Sequence, residues 1–467
     1  MVKNQKIFKV PDPFPLTLIG ITAALGPMAI NFGVSVGGGE TMLIPYAASL
    51  GGYKLFWFMT LSTIFETFMV YECIKYTMLT GRSFFSMTRD IPPRGFWPWF
   101  WGIYAILCYV WPSWLAGSAS AMYKLTGWGT FYQWCAAALL LVIIVFAFSR
   151  YIYRTISTIF TIVMIVNLVC VIIVAALVAT PQDYLDVLWG YFNFGLAGYP
   201  KEFPLPLAFS LFQQPGGSLM FITFWVLEAG WGMGKHGGRM TGALRPPEEI
   251  NTDALAFDVQ NPSEVAKMKQ WCQVAKWSLI IWWSVIGAMI GTYLYAVAGH
   301  AYLFRNGIVA KGLEVPLQMA TIAGKFGPWA TGIFLLFIFV TLYDAEFAMY
   351  DGFIGRTVAD AVATSPGLRK RHSYRFYYML VVGISILAGF YLVQLAMPFS
   401  LWLITSFLAL LARGIGAAQI LYANQRWIPK EFQPTWYAKG VLWIGCVLGS
   451  GIACLIWALA QFKIIQQ

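Results

Sequence analysis

The sequence predicts an all-α polytopic membrane protein of about eleven transmembrane helices, built as two five-helix repeats with an interrupted helix opening each one. Three observations predict it. Of 467 residues, 59% are hydrophobic and 11% are charged, whereas soluble domains carry about a quarter charged residues. Mean hydropathy is +0.66. Apolar runs of about 20 residues, the length that crosses a bilayer, recur from one end of the chain to the other. Two of these runs are broken by glycine, glutamine and proline.

Taken in order, the predicted spans are 16–49, 54–80, 97–120, 129–149, 155–180, 206–232, 276–299, 328–352, 376–397, 398–423 and 440–462. Basic residues decide orientation. With the N-terminus inside, the inner connections and their flanking span ends hold roughly three Lys and Arg for every one outside. The expected arrangement is a multi-pass protein of the cell membrane, N-terminus cytoplasmic and C-terminus extracytoplasmic. Its parts are a tail at 1–14, repeat 1 at 15–180 (spans 1–5), an external loop at 181–205, repeat 2 at 206–423 (spans 6–10, with a cytoplasmic loop at 233–275), and a connecting segment and span 11 at 424–467. The N-terminal MVKNQKIFKVPDPFP lacks the apolar core and cleavage site of a signal peptide, so span 1 is expected to be retained.

Net charge +11 does not point to nucleic acid, because the basic residues lie in short segments between apolar runs and form no patch. The partner expected from this pattern is the lipid bilayer. Cys73, Cys108, Cys135, Cys170, Cys272, Cys446 and Cys454 are scattered, without a CxxC, and read as buried apolar side chains. His236, His300 and His372 read as surface residues beside loops, too far apart for a metal cluster. Trp97, Trp99 and Trp101 fit an aromatic belt at the headgroups. GWGMGKHGG (Gly230 to Gly238) lacks the Walker spacing and a preceding strand. No nucleophile–base pair or His/Cys cluster appears, so neither an enzyme nor a cofactor is expected.

The interruptions locate the site. Span 1 contains Gly37, Gly38 and Gly39, three consecutive poor helix formers, followed by Glu40. Span 6 contains Gln213, Gln214, Pro215, Gly216 and Gly217. With five spans per half, the odd number inverts the second repeat, and each break falls in the opening span of its half. Paired interrupted helices mark a midplane binding site in secondary transporters, because backbone freed inside the bilayer must be satisfied by protein, water or ligand.

At these residues the chain resembles the natural resistance-associated macrophage protein (Nramp) family of divalent-metal transporters. The segments that carry the likeness are LGPMAINFGVSVGGGE, ETFMVYECIKYTMLTGR, WVLEAGWGMG and LYANQRWIPKEFQPTWYAKG. The resemblance spans most of 15–440 and implies the leucine-transporter fold, with alternating access around broken helices 1 and 6. The chain departs from the family at its metal ligands. The family's Asp-Pro-Gly-Asn falls on Gly37 to Glu40, so Gly37 stands where the metal-binding Asp would be and Glu40 where the Asn would be. The family's Met-Pro-His falls on Gln214-Pro215-Gly216. A thioether favours softer transition metals over Mg²⁺ and Ca²⁺, so its absence argues against Mn²⁺ and Fe²⁺ and makes a hard ion such as Mg²⁺ the expected cargo.

Seven of the twenty acidic residues fall inside predicted spans: Glu40, Glu66, Glu72, Glu228, Asp344, Glu346 and Asp351. An ionised, unpaired carboxylate in hydrocarbon costs several kcal/mol, so each is expected to face protein or a water cavity. Glu40 is open to two roles, a cap on the helix it begins and a metal ligand. Gln214, the other metal-ligand candidate, and Gln213 offer amide oxygens. Gly37, Gly38, Gly39 and Gly216 offer close backbone approach. Asn31, Ser35 and Ser218 are secondary candidates.

Glu66 reads as a proton-relay candidate, while Glu72 reads as an ion pair with Lys75 at i, i+3. Glu228 reads as a gating residue or an anchor with Lys235 or Arg239 as partner. Asp344 and Asp351, seven apart, share one helical face and suggest a proton or cation path, while Asp351 and Arg356 also read as the cytoplasmic end of an ordinary span. Glu346 points elsewhere, and Arg413 in span 10 needs an acid or carbonyls. The expected function is secondary-active transport of a divalent cation, with proton coupling through Glu66 or Asp344. The alternatives are an organic, amino-acid-like solute bound at the glycine amides, or a transport-silent membrane subunit. The sequence points to no protein partner.

Overall fold

The structure, a computed structural model, describes residues 7–201, 203–213, 218–310, 314–394 and 399–461. Each of the eleven expected spans maps onto helix, and no strand is present among the described residues. Among the described residues, seven helices are long and apolar enough to cross a bilayer unbroken, namely spans 4, 5 and 7 to 11. The other four have physical reasons to miss that standard: spans 1, 3 and 6 are divided into shorter pieces, and span 2 (Trp57–Thr80) carries Glu66, Glu72 and Lys75.

Local sequence fixes the ends. Span 2 stops at Gly81, whose left-handed φ of 61° lets its amide reach the Thr77 carbonyl, with Leu255 packed where a Cβ would stand. Span 4 (Phe131–Phe148) starts on a Thr130/Gln133 capping box. Two spans outrun the hydropathy pattern. Helix begins at Pro262, capped by Asn261, and runs through to Asn306, so the last third of the expected 233–275 loop is helical. Span 8 continues from Pro328 to Ala363. Polar turns of a helix that leave the bilayer lower the hydropathy without ending the helix.

Connections gather on two faces. On the N-terminal face, Phe8 donates its amide to Ala256 O at 2.8 Å, Trp271 Nε1 reaches Pro11 O at 2.9 Å, and Leu255 N reaches Thr80 O at 2.8 Å. Arg89 and Arg369 both bind Asp253 there, at 2.8 and 3.3 Å. On the opposite face, helix Pro181–Phe192 carries Asp183, which binds Arg305 at 2.8 Å. His300, expected at the surface, is buried there with Nε2 3.7 Å from Asp183 and its ring stacked on Phe304. Trp101 is also corrected. It is fully buried and donates to Gln419 at 3.0 Å, because Trp97, Trp99 and Trp101 cannot all face lipid from a helix. All seven cysteines are free thiols, with Cys170 and Cys454 half-buried and the rest buried.

An unexpected break divides span 3 into Phe96–Tyr109 and Ser113–Thr126 around Pro112, a residue with no amide proton to continue the ladder. Glu346 of span 8 accepts from the freed Leu115 amide at 2.9 Å, acting as an N-terminal cap supplied by another helix. Replacing Glu346 by Ala is expected to lower the stability of the solubilised protein by about 1 kcal/mol. Glu346→Gln, whose amide oxygen still accepts, should lose less; thermal unfolding in detergent measures both.

At Asp183, burial acts to raise the carboxyl, but donors from Thr180 and Arg305 outweigh it and hold the pKa below the usual value. A carboxyl depressed in the folded state adds stability above its unfolded pKa of about 3.9 and loses it as pH falls through the folded value. Asp183→Asn should therefore melt below the natural protein at pH 7, and the gap should narrow below about pH 4.

Candidate functional site

The two interrupted helices meet. Span 1 runs as Leu25–Phe32, then Gly33–Gly39, then Glu40–Gly51. The glycine segment does not unwind. It widens into a π-helix, in which i→i+5 bonds keep the backbone satisfied while the ladder shifts register. Span 6 is described as helix Leu205–Gln213 and, from Ser218 on, as a 3₁₀ turn that leads into Ile222–Ala229. Leu219, at the resumption, has a φ of 47°. Gln214 and Gly216, two residues expected at the site, lie outside the described residues, as do Pro215 and Gly217.

Asn31 joins the two helices. Its Oδ1 accepts from Ser218 N at 2.7 Å and from Ser218 Oγ at 2.6 Å, and all of these atoms are buried. One turn along span 1, Ser35 donates to Asn31 O at 2.8 Å and accepts from Trp283 Nε1 at 3.2 Å. The secondary candidates Asn31, Ser35 and Ser218 are therefore brought together at the crossing. Asn31 Nδ2 has no hydrogen-bond partner among the described residues. Gln213 is buried at the end of its helix, and Glu40 is buried in the first turn after the glycines.

Asp344 sits behind the π-helical segment. It is 1% exposed, and its Oδ2 is 2.8 Å from where a Cβ on Gly33 would stand, with Phe160 Cδ1 2.2 Å from the same point. Gly33 is thus the residue that admits both groups. Neither carboxylate oxygen of Asp344 makes a hydrogen bond of good geometry among the described residues. Thr341, one turn earlier, is equally buried, and its hydroxyl has no partner there. Tyr295 of span 7 lies within electrostatic reach of both Glu40 and Asp344, and donates to Asn167 Oδ1 of span 5 at 3.3 Å. Sequence reasoning missed Thr341, Asn167 and Tyr295. The one available signal was Asn167, a lone amide inside the apolar run VMIVNLVCV.

The remaining acids have other partners. Glu66, a relay candidate by sequence, is 3.4 Å from Arg413. Glu72 pairs with Lys75 at 2.7 Å as expected, and also accepts from Asn424 at 2.7 Å. Glu228 binds neither Lys235 nor Arg239 among the contacts seen. Its partner is Arg356 of span 8 at 2.6 Å, with the Met240 amide at 2.8 Å. Arg356 binds Asp351 as well, at 2.9 Å, and Asp351 also receives Tyr378 at 2.7 Å and Trp225 at 3.1 Å. Asp344 and Asp351 differ in their partners: Asp351 is paired to Arg356, and Asp344 has no basic partner among the described residues.

No group of three His, Cys, Asp or Glu side chains among the described residues is placed to hold a metal. An ion here would be held by Asp344 or Glu40 together with amide, hydroxyl and carbonyl oxygens, a donor set for hard cations. Neither a family model nor a curated protein sequence matches this chain. The fold is matched. The manganese transporter of Eremococcus coleocola, in complex with an aromatic bis-isothiourea compound, superposes with a TM-score of 0.64 at 14% identity, covering 97% of this chain and 91% of that one. A variant of the same transporter gives 0.60 at 15% identity, over 99% and 92%. The chain is a multi-pass membrane protein with this transporter's fold, and the Nramp resemblance in the sequence is supported at the level of the fold.

Asn31→Ala leaves the buried Ser218 amide without its acceptor and should cost about 1 to 3 kcal/mol. Asn31→Asp, which keeps an oxygen there, should retain more of the stability; thermal unfolding in detergent ranks the two.

Proposed function

We propose that the protein is a secondary transporter of cations that works by alternating access, with a hard divalent ion such as Mg²⁺ as cargo. One observation carries the reading: Asp344 buries a carboxylate against the π-helical segment of span 1 with no basic side chain paired to it among the described residues. Burial of an uncompensated charge is costly enough that the group must be neutralised from outside the protein, by a cation or by a proton. In this reading Glu40, which shares the neighbour Tyr295 with Asp344, supplies a further oxygen donor. The fold shared with a manganese transporter supports the same reading, and the oxygen-rich donor set favours a harder ion than Mn²⁺ or Fe²⁺.

In this proposal Asp344 exchanges a proton for the cation. The web of Glu228, Arg356 and Asp351 is the gate on the N-terminal face, which is the cytoplasmic one. The unpartnered Nδ2 of Asn31 favours a second reading, an organic solute whose carboxylate would take that donor.

Uptake of Mg²⁺, Mn²⁺, Ca²⁺ and Fe²⁺ into proteoliposomes tests the proposal. Saturable uptake of Mg²⁺ is expected, reduced about tenfold or more by Asp344→Asn and by Glu40→Gln, with Asp344→Asn also abolishing proton co-movement read by an internal pH dye. A folded, inserted protein that takes up none of the four ions would overturn the cation reading. Competition by amino acids would then favour the organic solute, and silence toward both a subunit role.

A further inference from the structure

Helix Pro181–Phe192, which follows span 5, has two unlike faces. One buries Asp183, Val187, Gly190 and Tyr191 against the bundle. That face is firmly held: Thr60 of span 2 donates to Tyr191 O at 2.7 Å, Tyr293 of span 7 donates to Tyr184 O at 2.8 Å, and the Tyr191 hydroxyl meets that of Thr292 at 2.9 Å. Gly190 packs so closely that a Cβ there would stand 2.3 Å from Tyr53 O. The other face is apolar, and Leu185, Leu188, Trp189 and Phe192 on it are each 46% to 59% exposed. They recur at i, i+3, i+4 and i+7, which is one stripe of a helix.

The helix descends along span 7. Near its start Asp183 meets Arg305 at 2.8 Å and His300 at 3.7 Å, whereas Tyr191 near its end meets Thr292, about two turns deeper in span 7. Thr292 lies about seven residues inside the end that hydropathy gives span 7, roughly 10 Å at 1.5 Å per residue, and Thr60 likewise lies within span 2. The surroundings at that level are hydrocarbon. The stripe also continues the lipid-facing side of span 5, which ends at Val178 and exposes Ile172, Ile173 and Leu177. Asp186 is the one charged side chain between Tyr184 and Tyr199, and its carboxylate turns toward His300 at 4.0 Å. The stripe therefore offers nothing to water or to a charged partner.

We propose that helix Pro181–Phe192 is seated in the bilayer, its exposed stripe a docking surface for the acyl chains of the leaflet opposite the N-terminal face. Hydropathy assigns 181–205 to an external loop because this helix is short and carries Asp183 and Asp186, which keep it below the apolarity of a span. It has the pattern of an in-plane amphipathic helix, with the polar side turned to protein in place of water. Lipid holds one face and spans 2 and 7 hold the other, so the helix braces those two spans from the membrane side.

The test places a nitroxide spin label on Leu185→Cys, Leu188→Cys and Phe192→Cys, and on Gln182→Cys at the exposed start of the same helix. Each variant is reconstituted in phosphatidylcholine vesicles at a low protein-to-lipid ratio, and the natural protein, labelled in parallel, gives the background from its own cysteines. Relaxation of the label by oxygen, which concentrates in hydrocarbon, is compared with relaxation by a water-soluble nickel chelate. Oxygen is expected to dominate at 188 and 192 and the chelate at 182, so that the logarithm of their ratio changes sign along the helix. Dominance of the chelate at 188 and 192 would put the stripe in water and overturn the proposal. Protection from both reagents, with spin–spin broadening that grows with the protein-to-lipid ratio, would show a second copy of the chain on the stripe and overturn it as well. The three stripe positions are independent, and any one that inserts decides.

Discussion

Every interruption of a helix inside a bilayer exposes backbone groups that lipid cannot satisfy, and that constraint organises this structure. Spans 1, 3 and 6 depart from a regular α-helix near their middles, and groups of spans 3 and 6 are taken by other spans. The Ser218 amide, where span 6 resumes, is taken by Asn31 of span 1. The Phe212 carbonyl of span 6 is taken by Arg413 of span 10. The Leu115 amide after the span 3 break is taken by Glu346 of span 8. The glycine run of span 1 keeps its own bonds by widening to a π-helix. The breaks are thus points of attachment between helices, which is why they persist in a setting that penalises them.

Buried charge obeys the same accounting. Glu66 meets Arg413, Glu72 meets Lys75 and Asn424, and Glu228 and Asp351 share Arg356. Glu346 is spent on a helix end. These groups tie spans together, and their titration would disrupt packing. Asp344 is set apart from them by the absence of a basic partner or a well-aligned donor among the described residues. It also lies where a glycine is needed to admit it. A protein can retain such a group only if something other than its own side chains neutralises it, and that argument carries the functional reading further than the fold does.

How much was legible in the sequence depended on the range of the interaction involved. The eleven spans follow from hydropathy, because the bilayer acts on about 20 consecutive residues and leaves a local trace. The Glu72–Lys75 pair was legible because it is one helical turn long. Arg413 was seen to need a partner, but Glu66 is 347 positions away in the chain, and no periodicity reports that distance. The π-helical stretch Met349–Arg356 was not legible, because a π-helix shifts register without a compositional signature. Of the candidate site, Asn31, Ser218, Glu40 and Asp344 were named from sequence. Thr341 and Tyr295 were not, because a lone hydroxyl in an apolar run looks like ordinary helix packing.

In the proposed transport cycle the two polar centres of the molecule take different parts. There the buried Asp344 carboxyl, with no basic side chain paired to it among the described residues, is neutralised by a proton or by the cation that replaces it. The web around Arg356 sets one guanidinium against two carboxylates, with hydrogen bonds from Tyr378, Trp225 and the Met240 amide. It is satisfied in the state seen here, and it links the second half of helix 6 to spans 8 and 9. Opening the N-terminal face has to part those ionic hydrogen bonds, each worth roughly 1.5 to 3 kcal/mol. Asp344 and the web share span 8, joined through Met349–Arg356. Binding at the first can therefore bias the second through a single helix whose register is already irregular, which is the coupling that alternating access requires.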